Sequence, residues 1–174
     1  AYGMVMPLVV DSTGKKFGKT EGNALWLDKN KTSSYEMYQY LVNLEDSMII
    51  DYIKKLTFLS KEEIEALEKS NNEHPEYREA HKALAREIIT DLHGREEFDK
   101  AVKISESLFS GDIKELDVND ILIGFKDVPH FEVEEDINII DMLVNNNIAS
   151  SKREAREFIT SNAISINGDK ITDE

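Results

Sequence analysis

Lys31-Thr32-Ser33-Ser34-Tyr35-Glu36-Met37-Tyr38-Gln39-Tyr40-Leu41-Val42 marks a change in the character of the chain. Thr32, Ser33 and Ser34 offer side-chain oxygens for the free amides of a helix start. Tyr35, Tyr38, Leu41 and Val42 then recur at helical spacing. Ile49, Ile50, Ile53 and Leu56 repeat the pattern. Ser60-Lys61-Glu62-Glu63 is a capping box, in which hydroxyl and carboxylate satisfy each other's exposed amides. Pro75 suits the first turn of a helix and Gly94 its stop, with Ala80, Ala83, Leu84 and Ile88 on one face between them. Phe98, Ala101, Val102 and Leu108 continue to Gly111, and Asp117 caps a short helix through Ile121 and Leu122. Residues 32–124 therefore read as a compact helical domain.

Downstream, residues 125–136 read as a linker that holds Pro129 and the acidic run Glu132 to Asp136, whose like charges keep it extended. Residues 137–174 form a different module. Ile139, Ile140, Leu143 and Val144 make a short amphipathic helix stopped by Asn145-Asn146-Asn147. Ser150 or Ser151 caps a second helix with Ala155, Phe158 and Ile159 inward. Ile164-Ser165-Ile166, then Asn167-Gly168, then Ile171 predict a tight β-hairpin. A two-stranded hairpin is marginal alone, so further residues are expected to complete the sheet. The fold class is mainly α, a helical domain followed by a small α+β module of two helices and a hairpin.

Upstream, residues 1–31 follow no helical or alternating period beyond a short apolar run, Met6 to Val10, that predicts a strand. Asp11-Ser12-Thr13-Gly14 is turn chemistry, and Lys15 to Asn23 is a loop. Leu25-Trp26-Leu27 is an apolar patch suited to docking that loop on a larger body. The chain opens Ala1-Tyr2-Gly3-Met4, which reads as a trimmed tag or a piece of a longer protein.

The 174 residues carry a net charge of −14 and no Cys, which removes disulfides, thiolate metal sites and thiol catalysis. With 40% hydrophobic residues the chain can build cores. No apolar run reaches membrane length, and no secretion signal is evident. An acidic balance argues against generic nucleic-acid binding, but the distribution is uneven: +2 over residues 1–31, −7 over 32–111, −7 over 112–136 and −2 over 137–174. Positive charge concentrates in two places.

The first is Lys15-Lys16-Phe17-Gly18-Lys19-Thr20. Three ammonium groups and a hydroxyl on a glycine-hinged loop suit a polyphosphate whose charge shifts during reaction. A Walker-type phosphate loop comes within one residue of Gly14-x-x-x-Gly18-Lys19-Thr20, but it needs one more residue between the glycines and a helix starting at the lysine. A solvated basic loop without a ligand is the third reading. The second place is Lys152, Arg153 and Arg156, which share one side of a helix with Glu154 and Glu157 interspersed. A solvated face with internal ion pairs is the plain reading of it. Tyr35, Tyr38 and Tyr40 have the chemistry to stack on bases, but their helical spacing reads as core. His74, His81, His93 and His130 are isolated and read as structural or solvent-facing.

Lys16-Phe17-Gly18-Lys19-Thr20 resembles the KMSKS signature of class I aminoacyl-tRNA synthetases, in the form seen in bacterial tyrosyl-tRNA synthetases. The flanks agree: Met6-Pro7-Leu8-Val9, Leu25-Trp26-Leu27-Asp28, Lys31 through Gln39, Leu59 through Ile64, Phe109-Ser110-Gly111-Asp112 and Phe125 through Pro129. Ile148 through Arg156, followed by Ile164-Ser165-Ile166-Asn167-Gly168, resembles an RNA-binding module shared with a ribosomal small-subunit protein, although that module usually has Gly where Asn162 or Ala163 sits.

The resemblance implies a parent enzyme that joins tyrosine to ATP, with Mg2+, releases pyrophosphate and passes the tyrosyl group to its tRNA. It makes residues 1–31 the end of the catalytic domain, 32–124 the anticodon-side domain, 125–136 the linker and 137–174 a truncated RNA-binding module. Lys16 and Lys19 would hold the triphosphate, with Phe17, Gly18 and Thr20 completing the loop. Lys152, Arg153 and Arg156 would meet RNA phosphates. The pattern contains no His-x-Gly-His and no alternating nucleotide fold, so this piece alone is expected to be inactive, to hold no metal or tight cofactor and to bind tRNA weakly. It further implies a cytoplasmic, membrane-free protein, homodimeric as the parent and monomeric as the piece. Two rivals remain: a stand-alone RNA-binding adaptor using residues 137–174, and an acidic helical interaction protein without RNA.

Overall fold

Helix α1 (Ser34–Val42) starts where the Ser33 hydroxyl accepts the Glu36 amide while the Glu36 carboxylate takes the Ser33 N–H at 2.7 Å. The structure, a computed structural model, describes residues 2–5, 7–16, 25–111, 113–126, 128–133 and 137–172. It divides into two units, residues 1–105 and 106–174.

In the first unit α2 (Asp46–Leu56), α3 (Lys61–Glu73), α4 (Glu79–His93) and the start of α5 (Arg95–Ser110) follow α1. The anticipated box at Ser60 and Glu63 opens α3. Helix α4 is the central member and packs against α1, α2 and α3. The core is Met37, Leu41, Ile49, Ile53, Leu84 and Ile89, all at most 1% exposed, closed by Tyr38 and Phe98 with ring centroids 6.0 Å apart, edge to face. Tyr38 is buried, and Tyr35 and Tyr40 pack partly against the same core, so these three tyrosines are packing residues.

Pro75 does not begin α4. It opens a 3-10 turn, Pro75–Tyr77, and the chain breaks at Arg78, which takes a left-handed φ of 51° before α4 starts at Glu79. The reason is tertiary. In that conformation the Arg78 guanidinium donates to the carbonyls of Val42 (2.8 Å) and Leu44 (2.9 Å) at the α1–α2 corner. Gly94 ends α4 at φ 94°, ψ 162°, a region only glycine visits readily.

The expected strand from Met6 to Val10 is not formed by its described residues. Val10 alone pairs, in an isolated antiparallel bridge with Lys16. A strand exists only through its partners, and the turn at Asp11–Gly14 supplies one such position. The patch at Leu25–Leu27 is split: Leu25 packs on the helical core, whereas Trp26 and Leu27 are 50% and 64% exposed.

The second unit contains the end of α5, a 3-10 turn at Ile113–Glu115, α6 (Val118–Gly124), α7 (Ile139–Asn145), α8 (Lys152–Thr160), β1 (Ser165–Ile166) and β2 (Asp169–Lys170). Asp117 caps α6 through the Asp120 amide at 2.9 Å. Residues 128–133 have no regular structure, and 134–136 lie outside the described residues. Ile140, Leu143, Ala149, Ala155 and Ile159 make a small core, with Phe158, Ile164 and Ile171 against it. The hairpin pairs Ser165 with Lys170 and Ile166 with Asp169, and Asn167 and Gly168 both take positive φ, 52° and 89°. That is the geometry a two-residue Asn-Gly turn imposes. Among the described residues no helix is long and apolar enough to cross a membrane.

Candidate functional site

The described residues on either side of the basic loop end at Lys16 and resume at Leu25. Asp11 builds the outgoing root: its Oδ1 accepts the Thr13 N–H (2.9 Å), the Thr13 hydroxyl (2.7 Å) and the Lys15 N–H (2.9 Å). The Thr13 hydroxyl first, and the two amides with it, hold the Asp11 carboxyl below its ordinary range. Two tethers join this root to α2 and its cap. The Tyr52 hydroxyl donates to the Val10 carbonyl at 2.9 Å, and the Ser12 hydroxyl donates to Glu45 at 2.8 Å. Tyr52 is only 2% exposed, and burial raises its phenol, so it stays a proton donor across the physiological range.

The returning root is tied as firmly. The Trp26 N–H donates to the Thr32 hydroxyl at 3.0 Å, and the Lys31 ammonium lies 4.1 Å from the Trp26 ring centre. Asp28 turns the chain through Asn30, Lys31 and Thr32 into the α1 cap. Between the two roots an apolar cavity of about 400 Å3 is lined by Val9, Leu25, Leu27, Met37, Leu41 and Ile88.

Lys15 and Lys16 are exposed on the outgoing root. Phe17, Gly18, Lys19 and Thr20 lie outside the described residues, so the spacing between the Lys16 and Lys19 ammonium groups is not defined.

The second cationic group stands on α8. The Ser151 hydroxyl accepts the Glu154 amide, and the Glu154 carboxylate accepts both the hydroxyl and the amide of Ser150. The Ser150 hydroxyl, then its amide, hold the Glu154 carboxyl low. Glu154 thus serves the helix start. Of the three expected cations, Lys152 is drawn to α7 by Asp141 at 2.6 Å. Arg153 and Arg156 remain solvent-exposed on α8. Asn162, one of the two positions (with Ala163) at which the resembled module has glycine, has φ 56°, and its carbonyl accepts the Lys170 ammonium at 2.8 Å. The position demands a left-handed residue, and Asn is the side chain that tolerates this best after Gly.

The histidines do not converge. His81 is fully buried, with Nε2 3.0 Å from the Leu44 carbonyl and 3.2 Å from Asp46. Burial first, then the Arg78 cation, pushes it below the ordinary histidine value, so it sits neutral in the fold. Two features escaped the sequence reading. His74 and Tyr77 stack on the 3-10 turn, with centroids 5.1 Å apart at 23°. Lys114 reaches Asp169 of the hairpin at 3.2 Å. The i, i+3 spacing of His74 and Tyr77 was a usable signal, obscured because Pro75 was read as the start of a long helix.

Comparison with known proteins covers both units. Residues 1–110 match the family model for class I tRNA synthetases (W and Y). Residues 120–174 match the model for a tyrosine–tRNA ligase SYY-like C-terminal domain. The chain is 51% identical over 175 aligned residues to the tyrosine–tRNA ligase of Bacillus velezensis, covering 99% of this chain and 42% of that protein. It is 50% identical to tyrosine–tRNA ligase 1 of Bacillus subtilis with the same coverage. Among solved structures, a C-terminally truncated mitochondrial tyrosyl-tRNA synthetase of Coccidioides posadasii superposes with a TM-score of 0.50 at 36% identity, over 58% of this chain and 26% of that one. The chain thus spans about two fifths of the length of the curated relatives it matches.

Proposed function

The chain belongs to the class I tRNA synthetases that comprise the tryptophan and tyrosine enzymes, and from that membership we propose that it is the C-terminal part of a tyrosine–tRNA ligase. The whole enzyme activates tyrosine with ATP and transfers the tyrosyl group to tRNA(Tyr). The observation that carries this reading is co-linearity: identity near one half extends over 99% of the chain, from the basic loop to the hairpin. An adaptor built on residues 137–174 alone would not need the match over residues 1–110.

In this reading residues 1–31 end the catalytic domain, 32–124 form the anticodon-side domain, 125–136 link, and 137–174 bind RNA. Lys16 and Lys19 grip the β- and γ-phosphates. When the tyrosine carboxylate attacks the α-phosphorus, the bond to the bridging oxygen breaks and pyrophosphate leaves with an extra negative charge. Two ammonium groups placed there bind that developing charge more strongly than they bind ATP, which lowers the barrier. Phe17, Gly18 and Thr20 shape the loop, and the anchored roots at Val10 and Trp26 limit its reach. Mg2+ would accompany the nucleotide and offset phosphate charge. Among the described residues no three metal-ligating side chains converge, so no protein ligand is assigned to it. Lys152, Arg153 and Arg156 meet tRNA phosphates. The parent is a cytoplasmic homodimer, and this piece is a monomer that does not activate tyrosine.

The test is tyrosine-dependent pyrophosphate exchange. In the full-length parent, Lys19→Ala should raise the activation barrier by on the order of 3 kcal/mol with tyrosine affinity little changed, and the 174-residue chain alone should give no exchange. A normal activation rate in the variant would remove Lys19 from the reaction. Exchange by the isolated chain would overturn the assignment of its role.

A further inference from the structure

The His74–Tyr77 stack has no structural employment that its surroundings reveal. In the first unit Tyr38 and Tyr52 are buried, and Tyr35 and Tyr40 pack partly on the core. Tyr77, by contrast, is 54% exposed, and the His74 side chain is 55% exposed. The two rings lie at 23° to each other, and the Glu76 carboxylate, 3.2 Å from His74 Nδ1, steadies the imidazole.

The ground beneath them is rigid. Arg78, the next residue, is locked to Val42 and Leu44, and Ser70 at the end of α3 donates to Glu79 at 2.5 Å. An aromatic surface that is preorganised and open costs little to use and offers a flat apolar face to a flat ligand. Glu73, Glu76 and Glu79 flank it in sequence, and Glu76 meets His74. The exposed ring face takes a flat heterocycle, and a base turned out of its strand fits it when its own phosphates point away from those carboxylates.

We propose that His74 and Tyr77 form a seat on which the protein stacks an unpaired nucleobase of its RNA partner. The proposal rests on the RNA reading above. Stacking of this kind tolerates any base, because every base has a π face.

The experiment uses the full chain with a stem–loop RNA carrying 2-aminopurine in its unpaired loop, and the same stem as a blunt duplex. Wild type should bind the loop RNA more tightly and quench the 2-aminopurine. Tyr77→Ala should weaken loop binding roughly tenfold and abolish the quenching. Tyr77→Phe should retain both, and His74→Ala should fall between. Duplex affinity and melting temperature should not move, since the ring is exposed. Equal loop affinity and quenching in wild type and Tyr77→Ala overturn the seat, and leave a protein partner as the occupant of this face. A wild-type chain that binds neither RNA at low salt overturns the RNA reading, and this proposal with it.

Discussion

His81 illustrates what a single buried side chain does to the whole protein. It is held neutral, with Nε2 serving the Leu44 carbonyl and Asp46, while Nδ1 is buried without a partner. Its folded-state affinity for a proton is depressed by burial and by Arg78, so between the two pKa values the unfolded chain binds more protons. Stability from this residue is therefore full above the unfolded value of about 6.5 and is lost as pH falls through the lower folded value. His81→Gln, which keeps a donor toward the Leu44 carbonyl, should flatten the fall in melting temperature on acidification below that point. Circular dichroism melts at stepped pH would show it, and parallel curves for the two proteins would refute it. No sequence pattern announced this role. His81 was legible as structural, but its partners come from a corner 37 residues away.

At the scale of elements, the punctuation matters more than the propensities. Gly94 separates α4 from α5 at φ 94°, with nothing within 4 Å of where a Cβ would stand. Gly94→Ala therefore meets no clash and tests backbone strain alone. It should cost about 1–3 kcal/mol, read from urea unfolding, and a neutral result would mean that the helix junction relaxes freely. Most of the elements were legible for local reasons. Serine caps at 33, 60 and 151, Asp117, Gly94 and the Asn167-Gly168 turn all act within a few residues of themselves. What was not legible depended on distant partners. The helix expected from Pro75 breaks at Arg78 because two carbonyls from the α1–α2 corner attract its guanidinium. The strand expected at Met6–Val10 shrinks to one bridge because pairing, not β-propensity, makes a strand. The candidate site divides in the same way. Residue types and spacing pointed to the lysine loop and the α8 cations, whereas the claim of Asp141 on Lys152 and the exposure of the His74–Tyr77 stack need three dimensions.

For the molecule as a whole, a charge of −14 opposes any polyanion at long range, so the RNA contacts proposed above must be local and short. That sets a quantitative expectation for α8. Arg153→Ala should weaken binding of loop and duplex RNA alike and flatten the plot of log affinity against log salt by about one unit. Filter binding across a salt series measures it, and an unchanged slope would place the contact elsewhere. This signature is the opposite of the one expected for Tyr77, which should alter selectivity for unpaired loops without altering the slope. The two measurements together separate phosphate grip from base stacking.

The phenol of Tyr52 has a consequence that extends past stability. It rises from inside the helical bundle and holds the Val10 carbonyl at the foot of the lysine loop, while Ser12 holds Glu45 at the mouth of the same helix. The described stretch from Val10 to Lys16 is thereby moored to α2 and its cap. A tilt of that helix, whatever its origin, would carry the Val10 carbonyl and the Lys15 and Lys16 backbone with it, so the bundle and the foot of the basic segment shift as one piece of machinery.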